Sequence, residues 1–323
     1  MTDFPRIVFY GTPGFAVASL QQLIDNGYHV VAVVTASDKP SGRGLKERSS
    51  PVKEFAVSHG IPVLQPVNMK DTAFLDQLSA FSPDLQIVIA FRMMPRAVWS
   101  FPSLGTFNLH ASLLPQYRGA APINRAVMNG ETETGVTTFM LNDQIDTGKI
   151  ILSERVPIGK DETAGELHDR LMEIGAGLVA RTVDMVAGGK LEVISQETLI
   201  SDPVALKQAP KIFKDDCRIN WDQEVTTVHD FIRGLSPHPG AFTDVKMADG
   251  SSQNLKIYRT LPEHTAGHGL TGHFITDGKS YLKVGVKNGF IHIQELQLAG
   301  RKVMSCGDFL RGFGKIFAET RAI

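Results

Sequence analysis

Arg6-Ile-Val-Phe-Tyr-Gly-Thr-Pro-Gly-Phe-Ala16, followed by Tyr28-His-Val-Val-Ala-Val-Val-Thr35, decides the fold. The run Ile7 to Tyr10 is short, apolar and partly β-branched, the signature of a buried strand. Gly11-Thr-Pro-Gly14 turns the chain. Ala16 to Asn26 then carries Val17, Leu20 and Ile24 near helical spacing, which predicts a helix. The valine-rich run to Thr35 is a second buried strand. Strand, turn, helix and strand in this order open a parallel sheet with crossover helices, so the expected class is α/β. The turn lacks Gly-x-Gly-x-x-Gly spacing and a Walker lysine. It reads as a tight strand-to-helix connection that can still line a cleft, because such sheets bind ligands at the carboxyl ends of their strands.

The pattern continues outward from there. Helices are expected over Pro51–His59, with Ser50 as N-cap, and over Thr72–Phe81, Pro95–Phe101, Ala120–Asn129 and Ala164–Ala187. Strands are expected over Ile61–Leu64, Leu85–Ala90, Thr106–Leu109, Thr134–Met140 and Ile150–Val156. Asp38 to Ser50, rich in Gly, Ser, Lys and Arg, predicts a long mobile basic loop. Gly189 to Pro210 reads as a connector. After Lys211 the texture changes to short strand-like runs at Asp216–Trp221, Ala241–Lys246, Asn254–Tyr258, Gly272–Thr276, Tyr281–Val286 and Phe290–Leu298. Helices are expected at Thr226–Gly234 and Ser305–Arg311. Many short strands divided by turn residues predict a small β-barrel. The expected division is a domain over 1–189, a linker over 190–210 and a second domain over 211–323.

Composition narrows the class. With 323 residues the chain is long enough for about two domains. Two cysteines, Cys217 and Cys306, make no disulfide framework and point to a reducing cytoplasm. The start has no signal-peptide layout, and no apolar run reaches membrane length. The ten histidines are scattered, so no metal is expected. Net charge is −1, but the stretch from Gln208 onward holds 15 Lys+Arg against 12 Asp+Glu, leaving the remainder at −4. A mildly basic C-terminal part suits a polyanion, and equally a solvated surface.

Chemistry concentrates between Phe107 and Gly148. Asn108 and His110, two apart on an extended segment, point to the same face. An amide can donate to a developing oxyanion, an imidazole can move a proton, and a carboxylate such as Asp146 can orient the imidazole. That set suits acyl transfer, and with no covalent nucleophile beside it the acceptor attacks directly. Each residue also has a plain reading: His110 as a satisfied core histidine, Asp146 in Asp-Thr-Gly as turn chemistry. Arg43, Lys46 and Arg48 read either as a solvated loop or as a grip on a phosphate backbone.

Asn108-Leu-His110, Ser112-Leu-Leu-Pro-Gln-Tyr-Arg-Gly119, Ala121-Pro-Ile-Asn-Arg-Ala126, Thr134-Gly-Val-Thr137 and Asp146-Thr-Gly148 together resemble the folate-dependent formyltransferases. The likeness extends to Phe9–Ala16, Ser41-Gly-Arg-Gly44, Ser50-Pro-Val-Lys53, Lys211, Arg218-Ile-Asn-Trp221 and Arg233–Ala241, and so covers nearly the whole chain. The resemblance implies a Rossmann-like formyltransferase domain with a parallel-rich sheet, linked to a C-terminal OB-like β-barrel. It implies formyl transfer from 10-formyltetrahydrofolate, as co-substrate, to the amino group of methionine on initiator tRNA. Asn108, His110 and Asp146 are then the catalytic residues. Folate is expected against Phe91, Arg92, Met93 and Met94, against Asn142, Asp143 and Gln144, and near Ser112, Leu113, Leu114 and Pro115. Arg43, Lys46, Arg48 and Lys211 are the expected tRNA contacts. A monomer with no membrane partner is expected. Phe91-Arg92-Met-Met-Pro95 departs from the family's small, glycine-containing stretch. Rival readings are an amino-sugar-nucleotide formyltransferase, a non-catalytic RNA-binding protein and a nucleotide-dependent oxidoreductase.

Overall fold

The computed structural model describes residues 4–41, 46–246, 251–265 and 270–317. The chain forms two compact units, each assembled from separate stretches. The first comprises Met1–Gly119, Thr134–Val156 and His168–Gln208, and the second Ala120–Glu133, Pro157–Leu167 and Ala209–Ile323.

The strands begin with β1 (Ile7–Gly11), β2 (Val30–Val34), β3 (Lys39–Ser41), β4 (Lys46–Arg48), β5 (Val63–Leu64) and β6 (Leu85–Ile89). They continue with β7 (Thr106–His110), β8 (Arg118–Gly119), β9 (Glu133–Met140), β10 (Ile150–Pro157) and β11 (Gln208–Ala209). The helices of this part of the chain are α1 (Gly14–Asp25), α2 (Pro51–Ser58), α3 (Thr72–Ala80), α4 (Arg96–Trp99), α5 (Pro122–Met128) and α6 (Ala164–Ala187).

Seven strands make the sheet of the first unit, in the order β10-β9-β7-β6-β1-β2-β5. The pairs β1–β2, β1–β6, β2–β5 and β6–β7 are parallel, and β7–β9 is antiparallel. This is the expected α/β class. Strands β1 and β6 are buried along their whole length, as their unbroken apolar runs require. Val8, Tyr10 and Val88 share a cluster with Phe74 and Leu78 of α3 and with Val98 of α4. The pleat sends Ile7 and Phe9 the other way. Gly11 has a steric reason: a Cβ there would stand 2.7 Å from the Ala16 side chain. That is the tight turn read from the sequence. Helix α2 starts as expected, with the Ser50 hydroxyl accepting from Lys53 N at 3.1 Å and proline at its first turn.

The basic segment differs from expectation. Its ends pair as the antiparallel ribbon β3–β4, with Lys39 opposite Arg48. At 39–41 and 46–48, paired backbone stands where composition alone suggests a long mobile loop. Arg43 lies outside the described residues.

In the second unit, α7 (Val225–Leu235) and α8 (Cys306–Phe317) accompany β12 (Ala241–Lys246), β13 (Ser252–His264), β14 (Phe274–Thr276), β15 (Leu282–Val286), β16 (Gly289–Leu298) and β17 (Met304–Ser305). The sheet order is β12-β13-β16-β15-β14, with β17 on β16, and these pairs are antiparallel. Register shifts on either side of Arg259 bend β13. The sheet forms an OB-like half-barrel around Ile257, Val284, Ile291 and Leu296, packed with Ile232 of α7 and Phe309 of α8. Asp216–Trp221 is not a strand. Asp216 accepts from Phe213 N at 2.9 Å, closing a short 3-10 turn, and only Arg218 bridges to Phe242. No helix among the described residues is long and apolar enough to cross a membrane.

Candidate active site

Strand β7 presents Asn108 and His110 on one face, while Phe107 and Leu109 are buried on the other. Helix α6 comes close to Leu109 at Gly175, where a Cβ would stand 2.8 Å from a Leu109 methyl. Asn108 is half-buried, and its carboxamide has no protein hydrogen-bond partner among the described residues. A buried-side amide left open in this way is available to a ligand.

His110 is 7% exposed. Its Nε2 donates to the Tyr117 carbonyl at 2.8 Å, which leaves Nδ1 as the second ring nitrogen. Nδ1 lies 3.9 Å from Asp146 Oδ2, an ion-pair distance rather than a hydrogen bond. The same Asp146 oxygen accepts from Gly119 N at 2.9 Å. Tyr117 and Asp146 have φ of 60° and 53°, the left-handed region that non-glycine residues enter at a cost, and Gly119 has φ of 126°. Such backbone is found where a turn must aim its groups, and here it aims a carbonyl and a carboxylate at one imidazole.

The turn between them is braced from inside. Thr137 Oγ1 donates to Ser112 O at 2.7 Å, and Ser112 Oγ donates to Gln116 O at 2.7 Å. Ser112, Leu114 and Pro115 are buried and Leu113 is half-buried, so these residues hold the turn. Gln116 reaches Lys207 N at 2.8 Å, and Tyr117 N donates to Lys207 O at 2.7 Å, beside the β8–β11 pair. Arg118 donates through Nε and Nη2 to Gln196 Oε1 at 3.0 and 2.7 Å. Burial pushes the Arg118 guanidinium below its ordinary value, and the charges of Asp146 and Glu197 oppose that shift.

A second wall stands where β6 ends, level with the end of β7, since Ile89 is in register with Leu109. Ala90 has φ of 47°, and no backbone hydrogen bond engages residues 91–94 among the described residues. Phe91, Met94 and Leu141 share one apolar cluster, and Arg96 pairs with Asp143 at 3.6 Å. The 91–95 stretch and the 142–146 loop are therefore neighbours. Asn142 Oδ1 accepts from Gln144 N and Thr147 Oγ1 at 3.0 and 3.1 Å, stiffening that loop. Arg92 turns away from the wall: it donates to the carbonyls of Pro66 and Val67 and lies over the Phe91 ring. Met93 is 69% exposed. Unused amides and carbonyls beside apolar side chains fit a flat heterocycle with a hydrogen-bonding edge. No group of three or more His, Cys, Asp or Glu among the described residues could hold a metal ion.

The chain matches the formyl transferase family over residues 5–183 and the formyl transferase C-terminal domain over residues 211–314. It is 54% identical over 316 residues to the methionyl-tRNA formyltransferase of Parabacteroides distasonis, covering 98% of both chains. To that of Bacteroides fragilis it is 51% identical, covering 95% of both. The chain belongs to the methionyl-tRNA formyltransferase family. A solved sugar 3N-formyl transferase, crystallised in the presence of dTDP and 5-N-formyl-THF, superposes with a TM-score of 0.64. Its identity is 19%, over 93% of this chain and 99% of that one, so it speaks for the fold alone.

Within this formyltransferase the sequence pointed to Asn108, His110 and Asp146, and the fold brings all three together. It did not point to the Tyr117 carbonyl, the Gly119 amide or Gln196. The first two lie inside Tyr-Arg-Gly, a run already singled out. Gln196 sits in the connector, and no local pattern marks it. Lys46 is on β4, Arg48 is exposed, and Lys211, also exposed, stands 5.4 Å over the Phe213 ring in the second unit.

Proposed function

We propose that this protein transfers the formyl group of 10-formyltetrahydrofolate to the free amino group of methionyl initiator tRNA. The observation that carries the reading is the meeting of Asn108, His110 and Asp146 in a chain similar over nearly its whole length to methionyl-tRNA formyltransferases. In this reading the first unit performs the chemistry and binds the folate between residues 91–95 and 142–146. The second unit, with Lys211, and the basic segment of sequence carrying Arg43, Lys46 and Arg48 contact the tRNA.

The chain's residues serve direct attack. The methionyl amine bonds to the formyl carbon, the bond from that carbon to the donor nitrogen breaks, and one proton passes from the amine to the leaving nitrogen. Asn108 donates its open carboxamide N–H to the oxygen as it takes up charge, and one such donor is worth about 10²–10³ in rate. His110 is held at Nε2 by Tyr117, so Nδ1 handles the moving proton. Asp146, fixed by Gly119 N, balances the charge that forms on the ring. Ser112, two residues after His110, is fully buried and donates to Gln116 O, which supports a route without an acyl-enzyme at that hydroxyl.

The test is transfer of labelled formyl from 10-formyltetrahydrofolate, offered methionyl initiator tRNA and an amino-sugar nucleotide in parallel. Label on the aminoacyl-tRNA is the expected result. Label on the sugar alone would move the protein to the rival acceptor class, and label on neither would remove the reading.

A further inference from the structure

Gln196 lies between α6 and β11 and is 2% exposed. A buried primary amide has to satisfy two donors and an oxygen with two lone pairs. All four positions are used. Oε1 accepts from Arg118 Nε and Nη2 at 3.0 and 2.7 Å, and Nε2 donates to Asp146 O and Gly148 O at 3.0 and 2.7 Å. Its orientation is fixed by chemistry, because a guanidinium only donates and a carbonyl only accepts. Only a primary amide offers both two acceptor positions toward an arginine and two donors toward carbonyls.

These four bonds join the two pieces of chain that make the reacting pair. Arg118 stands between Tyr117, whose carbonyl holds His110 Nε2, and Gly119, whose amide holds Asp146 Oδ2. Asp146 and Gly148 bound the other turn, in which Asp146 keeps its unfavourable φ of 53°. The two reciprocal backbone hydrogen bonds between Ile150 and Ile194, 2.8 and 2.9 Å, bring the Gln196 segment to that turn. The 3.9 Å separation of His110 and Asp146 has no direct hydrogen bond to maintain it. It is set by the frames on either side, which the bond from Gly119 N to Asp146 Oδ2 links at the carboxylate and which Gln196 ties through Arg118 and the carbonyls of Asp146 and Gly148.

We propose that Gln196 is a positioning residue for formyl transfer, holding the Asp146 turn against the Tyr117–Gly119 turn so that Asp146 faces His110 Nδ1. The proposal rests on the reading of Asn108, His110 and Asp146 as the reacting set.

Two substitutions in the full chain test it. Gln196→Met keeps the volume and loses all four bonds. Gln196→Glu keeps the acceptor toward Arg118 and loses both donors to the Asp146 turn. Turnover, KM for both substrates and the pH–rate profile are measured beside the imidazole nitrogen resonances of His110, assigned by comparison with His110→Ala. The expected result is a kcat lower by about 10- to 100-fold per folded molecule, the cost of a misplaced group. KM for folate and tRNA stays within about 2-fold, and the pH–rate profile and the His110 titration both move. If Gln196→Met does not fold, Gln196→Glu decides by the same criteria. Activity within about 2-fold with unmoved His110 resonances overturns the proposal, as does a lower melting temperature with unchanged kcat per folded molecule. Should the unsubstituted protein transfer no formyl group, the functional reading fails. The His110 resonances alone then decide whether Gln196 holds the pair, with an unmoved titration overturning that role.

Discussion

Asn108 and His110 carry the two largest expected effects of single side chains, Asn108 because it is a half-buried amide with no protein partner among the described residues. Asn108→Ala is expected to lower formyl transfer by about 10²-fold or more, with tRNA binding near normal in a filter or gel assay. His110→Ala is expected to do the same. Wild-type-like turnover in either variant would remove that residue from the chemistry. Gly148, the last residue of Asp-Thr-Gly, has a different task. A Cβ there would stand 1.6 Å from Met140 O, so Gly148→Ala forces backbone to move. A loss of about 1–3 kcal/mol in urea unfolding is expected, as for other overpacked sites. The same-face placement of Asn108 and His110 was legible because strand alternation is a property of adjacent residues. The 3.9 Å approach of Asp146 was not, since it depends on turns closed by residues far along the chain.

At the scale of elements, α6 shows a start signal written in four residues. Thr163 and Glu166 form a reciprocal cap: Glu166 N donates to Thr163 Oγ1 at 3.2 Å, and Thr163 N donates to Glu166 Oε2 at 2.9 Å. Thr163→Ala is expected to cost about 1 kcal/mol in chemical denaturation. Burial works to raise the Glu166 carboxyl, but the Thr163 amide, Arg259 and the Thr163 hydroxyl outweigh it and hold it below its ordinary 4.5. A carboxyl depressed in the folded state contributes stability above its unfolded value and loses it as pH falls through the folded one. The stability difference between wild type and Glu166→Gln should therefore shrink as pH drops below 4.5, read from thermal melts. A difference independent of pH would sink this account. The helix itself was legible over Ala164–Ala187 as a long candidate ended by Gly188-Gly189. Asp216–Trp221 misled because its apolar residues follow a strand-like pattern while the Asp216 carboxylate closes a turn.

Across the whole molecule, a net charge of −1 gives no general attraction to RNA, so binding has to come from local cations. Arg48→Ala and Lys211→Ala are each expected to weaken tRNA binding and reduce the slope of log K against log salt by about 1. Arg43→Ala is expected to weaken tRNA use with little effect on folate binding. Fluorescence titrations across a salt series check all three, and an unchanged slope would take the residue out of the contact. The two units are interleaved in sequence, since Ala120–Glu133 and Pro157–Leu167 belong with the barrel unit. Their sequences give no hint of this. α5 has ordinary helical spacing, and its partner is chosen by the path of the chain: Asn124 Nδ2 donates to Gly234 O at 2.8 Å.

The sequence by itself determined the α/β opening, the barrel texture after Lys211, most of the helices and the Asn-x-His face. Each of these follows from side-chain periodicity, caps and turn residues, which act over a few positions. Tertiary structure alone decided that Asp146 meets His110, that β3 and β4 pair, and that Gln196 joins two turns from 50 and 78 residues away. Contacts of that kind depend on where the whole chain returns. A buried glutamine is recognisable only when the guanidinium and the carbonyls that satisfy it are already in place.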